Sequence, residues 1–221
     1  MVERRAWQSE ADQLGRADDA HPTAWFEQLW ASAARGAVTT PWEHDDPHPA
    51  LAERVVAPPD GERRTAVVVG CGLGADAEHL SRLGYVTTAF DVAPSAVAAA
   101  RDRRPGSAVT YAVGDLLDLP AAWRRAFDLV VEVYTVQAVH RVVRGELTAG
   151  VRSLVGPGGT LLVIQAVADE PDDDGPPWPL TRAEIDAFGQ DGLVAVSVER
   201  LDLPAPGGRG LWRAELRRAD Q

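Results

Sequence analysis

Three glycines and one acidic residue mark the part of the chain best suited to hold a ligand. Gly70, Gly72 and Gly74 follow an apolar run, and Asp91 comes about 20 residues after the first of them. A glycine turn between a strand and a helix lets the backbone approach a ligand closely. A carboxylate at the end of the next strand can accept both hydroxyls of a ribose. These residues predict a nucleoside-containing cofactor without identifying it.

Charge in the same segment distinguishes two classes of ligand. With Ala75 the glycines also fit the G-x-G-x-x-G/A fingerprint of dinucleotide-binding folds, which place a pyrophosphate at the helix N-terminus. Asp76 and Glu78 lie in the first turn of that helix, where they would repel two further negative charges. The pattern favours a cofactor without phosphate, and a nicotinamide-dependent oxidoreductase or a tight turn without any ligand are the alternatives.

A second acidic residue, Asp115, follows the third predicted strand, directly after Gly114. An acceptor there can meet an exocyclic amine such as the adenine 6-amino group, although Asp after Gly is equally typical of a turn. Asp91 and Asp115 both lie at carboxyl ends of strands beside the glycine turn, and this shared position favours ligand binding.

Composition restricts the partners and the chemistry. The chain has 22 basic and 33 acidic residues, a net charge of −11, and no Lys, so it repels nucleic acid and anionic membranes and cannot use a Lys base. Its single cysteine, Cys71, excludes an internal disulfide and multi-thiolate zinc sites. The first residues lack an apolar export signal, and no apolar run reaches the roughly 20 residues of a membrane helix. We expect a cytoplasmic protein with a small-molecule partner.

The elements that position these residues begin at Thr65. Apolar runs predict strands, and the segments between them predict helices. The strands are predicted at 65–69, 86–90, 108–113, 127–133 and 160–167, and the helices at 75–83, 94–103, 145–155 and 181–190. Two further alternating segments, 194–203 and 209–216, flank a Pro- and Gly-rich turn. The pattern predicts an α/β protein with a doubly wound, Rossmann-like, seven-stranded sheet, mostly parallel with a C-terminal antiparallel hairpin.

The first 60 residues contain no predicted strand but four of the seven tryptophans, Trp7, Trp25, Trp30 and Trp42. A helix capped by Thr23 and a shorter helix at 49–56 are predicted there. We expect residues 1–60 to form an N-terminal helical lid on a cofactor domain of residues 61–221, within one structural domain. Trp30 and Trp42 either close over the cofactor or fill the seam between lid and sheet.

Five segments, in order, resemble the motifs of class I S-adenosylmethionine-dependent methyltransferases. They are 67–74, 90–97, 114–115, 127–131 and 156–160, and the resemblance covers about residues 20–217. The Trp-containing N-terminal helix, the segment 41–51 and the run Gly175-Pro176-Pro177-Trp178 are similar to the thiopurine S-methyltransferase-like branch. Two positions depart from these patterns: Val68 stands where most class I members have an acid, and Glu132-Val133 stands where thiopurine enzymes have Asp-Arg.

The resemblance implies that S-adenosylmethionine is the cofactor and that a small molecule accepts the methyl group on sulfur, oxygen or nitrogen. A domain that binds the cofactor without catalysis is a further alternative. The expected cofactor-binding residues are Trp30, Trp42, Gly70, Cys71, Gly72, Gly74, Asp91, Val92, Asp115, Leu116 and Glu132.

Methyl transfer from a sulfonium is an in-line displacement, in which a protein mainly aligns the reactants and excludes water. Glu132, Tyr134 and Gln137 lie at or beyond the end of the fourth strand, which faces the methyl group in this fold, and His140 follows. If the acceptor is a hydroxyl or an amine, Glu132 or His140 could take its proton. The candidate catalytic residues are Glu132, Tyr134 and His140, and the candidate substrate-binding residues are Tyr134, Gln137 and Trp178.

Other residues with possible chemistry are expected to play no direct part. Cys71 is expected to be a packing residue in the glycine turn. His44 and His48 lie near acidic residues but lack a recognised spacing of metal ligands, so we predict a solvated loop and no metal. The acidic run 172–174 is likewise expected to be an exposed loop.

Overall fold

A computed structural model describes residues 22–40, 42–171, 175–205 and 209–220. Three features named above lie outside these ranges: Trp7, the acidic run 172–174 and part of the hairpin turn, at 206–208. No helix among the described residues is long and apolar enough to cross a membrane.

A seven-stranded sheet forms the centre of the fold. Its strands are β1 Thr65–Val69, β2 Val86–Asp91, β3 Thr110–Val113, β4 Phe127–Val133, β5 Val155–Ala166, β6 Leu193–Leu201 and β7 Leu211–Arg218. Their order is β3-β2-β1-β4-β5-β7-β6; the first five pair in parallel, and β7 is antiparallel to both of its neighbours. The predicted architecture is confirmed. The strand order reverses direction between β1 and β4, which is where a doubly wound sheet opens a crevice for a ligand.

Six helices connect or cover these strands in the described ranges. They are α1 Ala24–Ala34, α2 Pro49–Arg54, α3 Ala75–Arg82, α4 Pro94–Arg103, α5 Arg144–Leu154 and α6 Arg182–Asp186, and 3₁₀ turns occur at Ala121–Trp123, Val136–Ala138 and Arg141–Val143. α6 ends earlier than predicted, because the chain continues in i→i+3 turns, with the amides of Phe188 and Gly189 bonded to the carbonyls of Ile185 and Asp186.

The glycine run at 156–159 also differs from the prediction. It was expected as a loop before the fifth strand, but β5 begins at Val155 and continues through the run. Val155 pairs with Phe127 and Thr160 pairs with Leu129, so the extra residues form a bulge. A Cβ on Gly159 would lie 2.8 Å from the carbonyl oxygen of Phe127, and this close approach favours glycine.

Two apolar layers cover the faces of the sheet, and the N-terminal helices belong to both. In α1, Trp25, Phe26, Leu29 and Trp30 pack in one layer. In α2, Leu51 packs in the other. Both N-terminal helices therefore share the core of the sheet, while the single structural domain and its division at residue 60 stay predictions.

A polar contact also fixes α1 over the sheet. The Glu27 carboxylate accepts hydrogen bonds from the amide and the hydroxyl of Ser95, at 2.9 and 2.6 Å, at the start of α4. An anionic side chain is favourable beside a helix N-terminus, where backbone N–H groups lack partners. The contact holds α1 near the carboxyl ends of β1 and β2.

Candidate active site

A cavity opens at the carboxyl ends of the central strands, and its empty space, including the part open to solvent, is about 990 Å³. Ten of the eleven predicted cofactor-binding residues line it, Glu132 being the exception. The sheet therefore brings together residues that are far apart in the sequence, and their role in binding stays a prediction.

The glycine turn after β1 lines the cavity, and side chains from other elements pack tightly against it. Gly70 and Gly74 have φ angles of +59° and +84°, which L side chains rarely adopt. A Cβ on Gly70 would lie 2.3 Å from Oγ1 of Thr135, and a Cβ on Gly74 would lie 2.2 Å from Oη of Tyr111. Glycine is required at both positions, and the turn offers bare backbone to a ligand.

Asp91, the last residue of β2, ties this turn to the next strand. Its carboxylate accepts hydrogen bonds from the amides of Gly72 and Ala93, both at 3.0 Å. Burial raises the pKa of Asp91, and these amides partly offset that effect. Because carboxylate oxygens have further lone pairs and Asp91 lines the cavity, they can also accept hydroxyl groups of a ligand.

Asp115 both forms a turn and lines the cavity. Its Oδ1 accepts a hydrogen bond from the amide of Leu117 at 2.9 Å, an Asx turn. Asp115 also lines the cavity, together with Gly114 and Leu116. The turn therefore holds the carboxylate beside the end of β3.

An aromatic wall faces the glycine turn. It consists of Phe26, Trp30 and Trp42, whose ring centroids are 5.9 Å apart for the two tryptophans and 6.1 Å apart for Phe26 and Trp42. Trp30 is buried in the core and also lines the cavity, so it fills the seam and faces the ligand space at once. Trp42 is half-buried, as expected of a residue that closes a pocket.

The charges of the cavity have one sign. Asp76, Asp91 and Asp115 contribute carboxylates, and no Arg is among the described residues that line the walls. Because the sequence has no Lys, Arg and His are the remaining sources of positive charge, and His44 lies at the wall. Such a site favours a cationic or neutral ligand over a polyphosphate.

Tyr134 lies directly after β4 in an unusual backbone conformation. Its φ is +60°, which costs an aromatic residue of the order of 1–3 kcal/mol and is concentrated at functional sites. Along an ideal strand Tyr134 would share a face with Glu132. The positive φ turns its ring to the opposite face, where it packs with Val133 and contacts His48 edge-on at a centroid distance of 5.3 Å.

Glu132 does not line the cavity, which corrects its sequence-based placement. It is fully buried; Oε1 accepts from the amides of Thr135 and Val136, at 2.8 and 3.0 Å, and Oε2 accepts from Gln165. Burial raises the pKa of Glu132 to about 7 against the effect of these donors. The carboxylate braces the loop that carries Tyr134 and is turned away from any ligand in the cavity.

Gln137, His140 and Trp178 lie together outside the cavity walls, which also differs from the prediction. Gln137 is buried; its Oε1 accepts from the amide of Ala166 and its carbonyl from the amide of Trp178, both at 2.7 Å. His140 is exposed and contacts the edge of buried Trp178, with ring centroids 5.3 Å apart. These contacts join the loop after β4 to the segment before α6.

Several cavity residues were not predicted. Asp76 was interpreted only through its charge, and His44 was assigned to a solvated loop; Phe26 and Thr135 were not considered for binding. The contribution of Phe26 and Thr135 to the cavity wall could have been predicted from their position, since α1 and the loop after β4 both contain other candidate residues. His44 is exposed in its loop, as predicted, although it also lines the cavity. His48 is not a solvated residue: burial lowers its pKa to about 4, and nearby His44 adds to the effect.

Burial, and then the Asp91 carboxylate, raise the pKa of the Cys71 thiol well above its ordinary value, so it is held protonated. Within the described ranges, no group of three or more His, Cys, Asp or Glu residues is arranged to hold a metal ion.

The chain is similar to known proteins over its central part. Residues 66–159 match the family model described as a methyltransferase domain. This match covers less than half of the chain. A curated relative, the ubiquinone biosynthesis O-methyltransferase of Xanthomonas axonopodis pv. citri (strain 306), is 33% identical over 134 residues, 55% of this chain and 54% of the relative. The match thus spans about half the length of that relative.

Solved structures share the fold of this chain over most of its length. One is the 1,6-didemethyltoxoflavin-N1-methyltransferase of Burkholderia thailandensis with 1,6-didemethyltoxoflavin and S-adenosylhomocysteine bound, with a TM-score of 0.64 and 19% identity over 87% of this chain and 86% of the other. Another is the [4+2]-cyclase SpnF, with a TM-score of 0.65 and 16% identity over 90% and 97%.

Proposed function

We propose that the protein is an S-adenosylmethionine-dependent methyltransferase that acts on a small, uncharged molecule. One observation carries the proposal: a cavity whose described lining is acidic and contains no Arg lies on the glycine turn, between Asp91 and an aromatic wall. A sulfonium cofactor is cationic and carries no phosphate, so these charges suit it, whereas a nicotinamide dinucleotide would bring two phosphates beside Asp76 and Asp91.

The residues present fit each part of that cofactor. Asp91 is placed to accept ribose hydroxyls, and Asp115 with Leu116 would flank the adenine. The bare backbone of the glycine turn would lie along the methionine moiety. Trp30 and Trp42 offer aromatic faces that stabilise a nearby positive charge.

When bound, the cofactor supplies a methyl group on a positively charged sulfur. The contribution of the chain is to hold both reactants in line and to keep water away. Trp42 and His44 line the cavity, and Glu132 fixes the loop on which Tyr134 and Thr135 reach it. Cys71, held protonated, needs no part in the reaction.

The substrate class follows from the walls near the end of β4. Val133, Ala138 and Val139 are apolar, and the described lining provides no Arg to pair with an anionic substrate. The curated relative is named an O-methyltransferase, and the toxoflavin enzyme is named an N1-methyltransferase. We therefore propose planar, uncharged acceptors with a hydroxyl or a ring nitrogen, and the thiopurine-like resemblance adds aromatic thiols.

The test is methyl transfer from S-adenosylmethionine labelled in its methyl group to catechol, benzimidazole and benzenethiol. We expect label in at least one product, with S-adenosylhomocysteine formed in equal amount. The sheet also occurs in a cyclase, so fold alone does not establish this reaction. Tight cofactor binding without label in any of the three acceptors would instead favour a domain that binds the cofactor without catalysis.

A further inference from the structure

The hydroxyl of Tyr134 and the ring of His48 form a pair beside the cavity. Oη of Tyr134 lies 3.1 Å from Nε2 of His48, although the two residues are 86 positions apart in the sequence. His48 is also fixed through its backbone, since its amide donates to Oδ1 of Asp76 at 2.7 Å. The pair is thus built from the start of α2, the start of α3 and the end of β4.

The hydrogen bonds of His48 determine which of its ring nitrogens carries the proton. Nδ1 accepts a hydrogen bond from the amide of Ala50 at 3.2 Å, where His48 serves as the N-cap of α2. A neutral ring with an accepting Nδ1 must carry its hydrogen on Nε2. Nε2–H therefore donates to Oη of Tyr134.

This direction leaves the proton of the tyrosine hydroxyl available. Among the described residues, Oη of Tyr134 makes the bond from His48 and no bond as donor. Tyr134 is one of the residues that line the cavity, so we expect its O–H to be within reach of a ligand there. Burial keeps both groups neutral: it raises the pKa of Tyr134 to about 12, with the Asp76 carboxylate adding to the effect, and lowers that of His48 to about 4.

We propose that Tyr134, oriented by His48, is a specificity-determining residue that donates a hydrogen bond to an acceptor atom of the substrate. The proposal rests on the proposed function and narrows its substrate class to molecules with a carbonyl or similar acceptor beside the methylated atom. Tyr134 acts as a donor and not as a base, and His48 is a positioning residue that acts through it.

Two substitutions separate this hydrogen-bonding role from the packing of the Tyr134 ring and from the capping of α2 by His48. Tyr134→Phe removes the hydroxyl and keeps the ring. His48→Asn keeps an oxygen that can cap α2, because Asn is a favoured N-cap, but its side chain is too short to reach Tyr134. Tyr85→Phe is the matched control, since the Tyr85 hydroxyl donates to the carbonyl of Val56, outside the cavity.

The probes are the three isomers of hydroxyacetophenone, each paired with the ethylphenol of the same substitution. Their dissociation constants are measured by calorimetry on protein saturated with S-adenosylhomocysteine. We expect an acetyl probe to bind about 3- to 10-fold more tightly than its ethyl partner, as one neutral hydrogen bond allows. Tyr134→Phe should remove this preference and leave the dissociation constant of the ethylphenol unchanged. His48→Asn should reduce the preference in part and likewise leave the ethylphenol constant unchanged.

The double variant tests whether His48 acts through Tyr134. His48→Asn should cost nothing further in acetyl-probe affinity once Tyr134→Phe is present. A further loss there, an equal loss for both probes of a pair, or no acetyl preference in any pair would overturn the proposal. Failure of S-adenosylhomocysteine to bind the wild type would instead contradict the proposed function.

A measurement without any ligand completes the test. In protein labelled with ¹⁵N-histidine, the His48 signals, assigned from their loss in His48→Asn, should show a protonated Nε2 and an unprotonated Nδ1 from pH 8 down to about pH 5. The opposite tautomer, or a doubly protonated ring at pH 6, would overturn the donor assignment of Tyr134.

Discussion

Replacing Glu132 by Gln tests whether this buried carboxylate is a pH-sensitive brace of the loop after β4. Oε1 of Glu132 accepts from two backbone amides, and Oε2 accepts from Nε2 of Gln165. Oε1 of Gln165 is buried and has no hydrogen-bond partner among the described residues. A flip of the Gln165 amide would let this oxygen accept from a protonated Glu132 or from a Gln at the same position, so the substitution fits the site.

The magnitude follows from the shift in the pKa of Glu132, which burial raises from 4.5 to about 7. Between these values the folded chain holds a proton that the unfolded chain has released. The stabilisation is therefore complete below pH 4.5, decreases as the pH rises, and is lost above about pH 7. At about 1.4 kcal/mol for each pKa unit, the change amounts to about 3 kcal/mol in the free energy of unfolding.

The assay is urea unfolding of wild type and Glu132→Gln between pH 4.5 and 8. Because Gln does not titrate, the difference in unfolding free energy between the two proteins should shift by about 3 kcal/mol in favour of the variant as the pH rises. Glu146→Gln, at an exposed site on α5, is the control and should give a nearly constant difference. Parallel pH curves for wild type and Glu132→Gln would refute the reasoning.

Three further outcomes follow from the site. Gly74→Ala should lower the free energy of unfolding by about 2 kcal/mol or more, because its φ is +84° and the new methyl group would meet Tyr111. Gly106→Ala is the control for the backbone cost alone, since its φ is +85° and its surroundings are open. Equal losses of stability for the two variants in urea unfolding would contradict a steric contribution from Tyr111. Trp42→Ala should weaken S-adenosylmethionine binding by about 1 kcal/mol or more in calorimetry, since one aromatic face that can stabilise the cationic sulfur is lost; unchanged affinity would remove Trp42 from the site. Cys71 should react with iodoacetamide at pH 7.5 at least about tenfold more slowly than free cysteine, because its pKa is raised; an equal rate would show an accessible thiolate.

Local patterns in the sequence were sufficient for the parts of the fold that depend on burial. β1 and β4 have the predicted bounds, because both are apolar runs enclosed on two faces, and α4 begins and ends as predicted. The glycine turn and Asp91 could be placed at the cavity for the same reason: they follow directly from where β1 and β2 end.

The different positions of Glu132, which lies away from the cavity, and Tyr134, which lines it, could not be predicted in this way. The two residues are separated by two positions, so regular strand geometry places them on one face. The left-handed conformation of Tyr134 sends its ring to the opposite face, beside α2. A pattern of apolar and polar residues does not predict a positive φ at a tyrosine.

His48 illustrates a second limit of local patterns. Its neighbours in the sequence are Pro and acidic residues, which are typical of a solvated loop. Its partners are Asp76, on α3, and Tyr134, after β4, and they meet it only once the sheet has formed. Long-range contacts of this kind decide the chemistry of the cavity wall.

The central claim is that the cavity binds a sulfonium nucleoside through Asp91 and rejects a dinucleotide. Calorimetry with S-adenosylhomocysteine, S-adenosylmethionine and NAD⁺ tests it directly, on wild type, on Asp91→Asn and on the exposed control Asp186→Asn. The account predicts saturable 1:1 binding of both sulfur nucleosides, at least about tenfold weaker in Asp91→Asn because a hydroxyl acceptor becomes an amide donor, and no measurable binding of NAD⁺. Tighter binding of NAD⁺ than of S-adenosylhomocysteine, or equal affinities in wild type and Asp91→Asn, would contradict it.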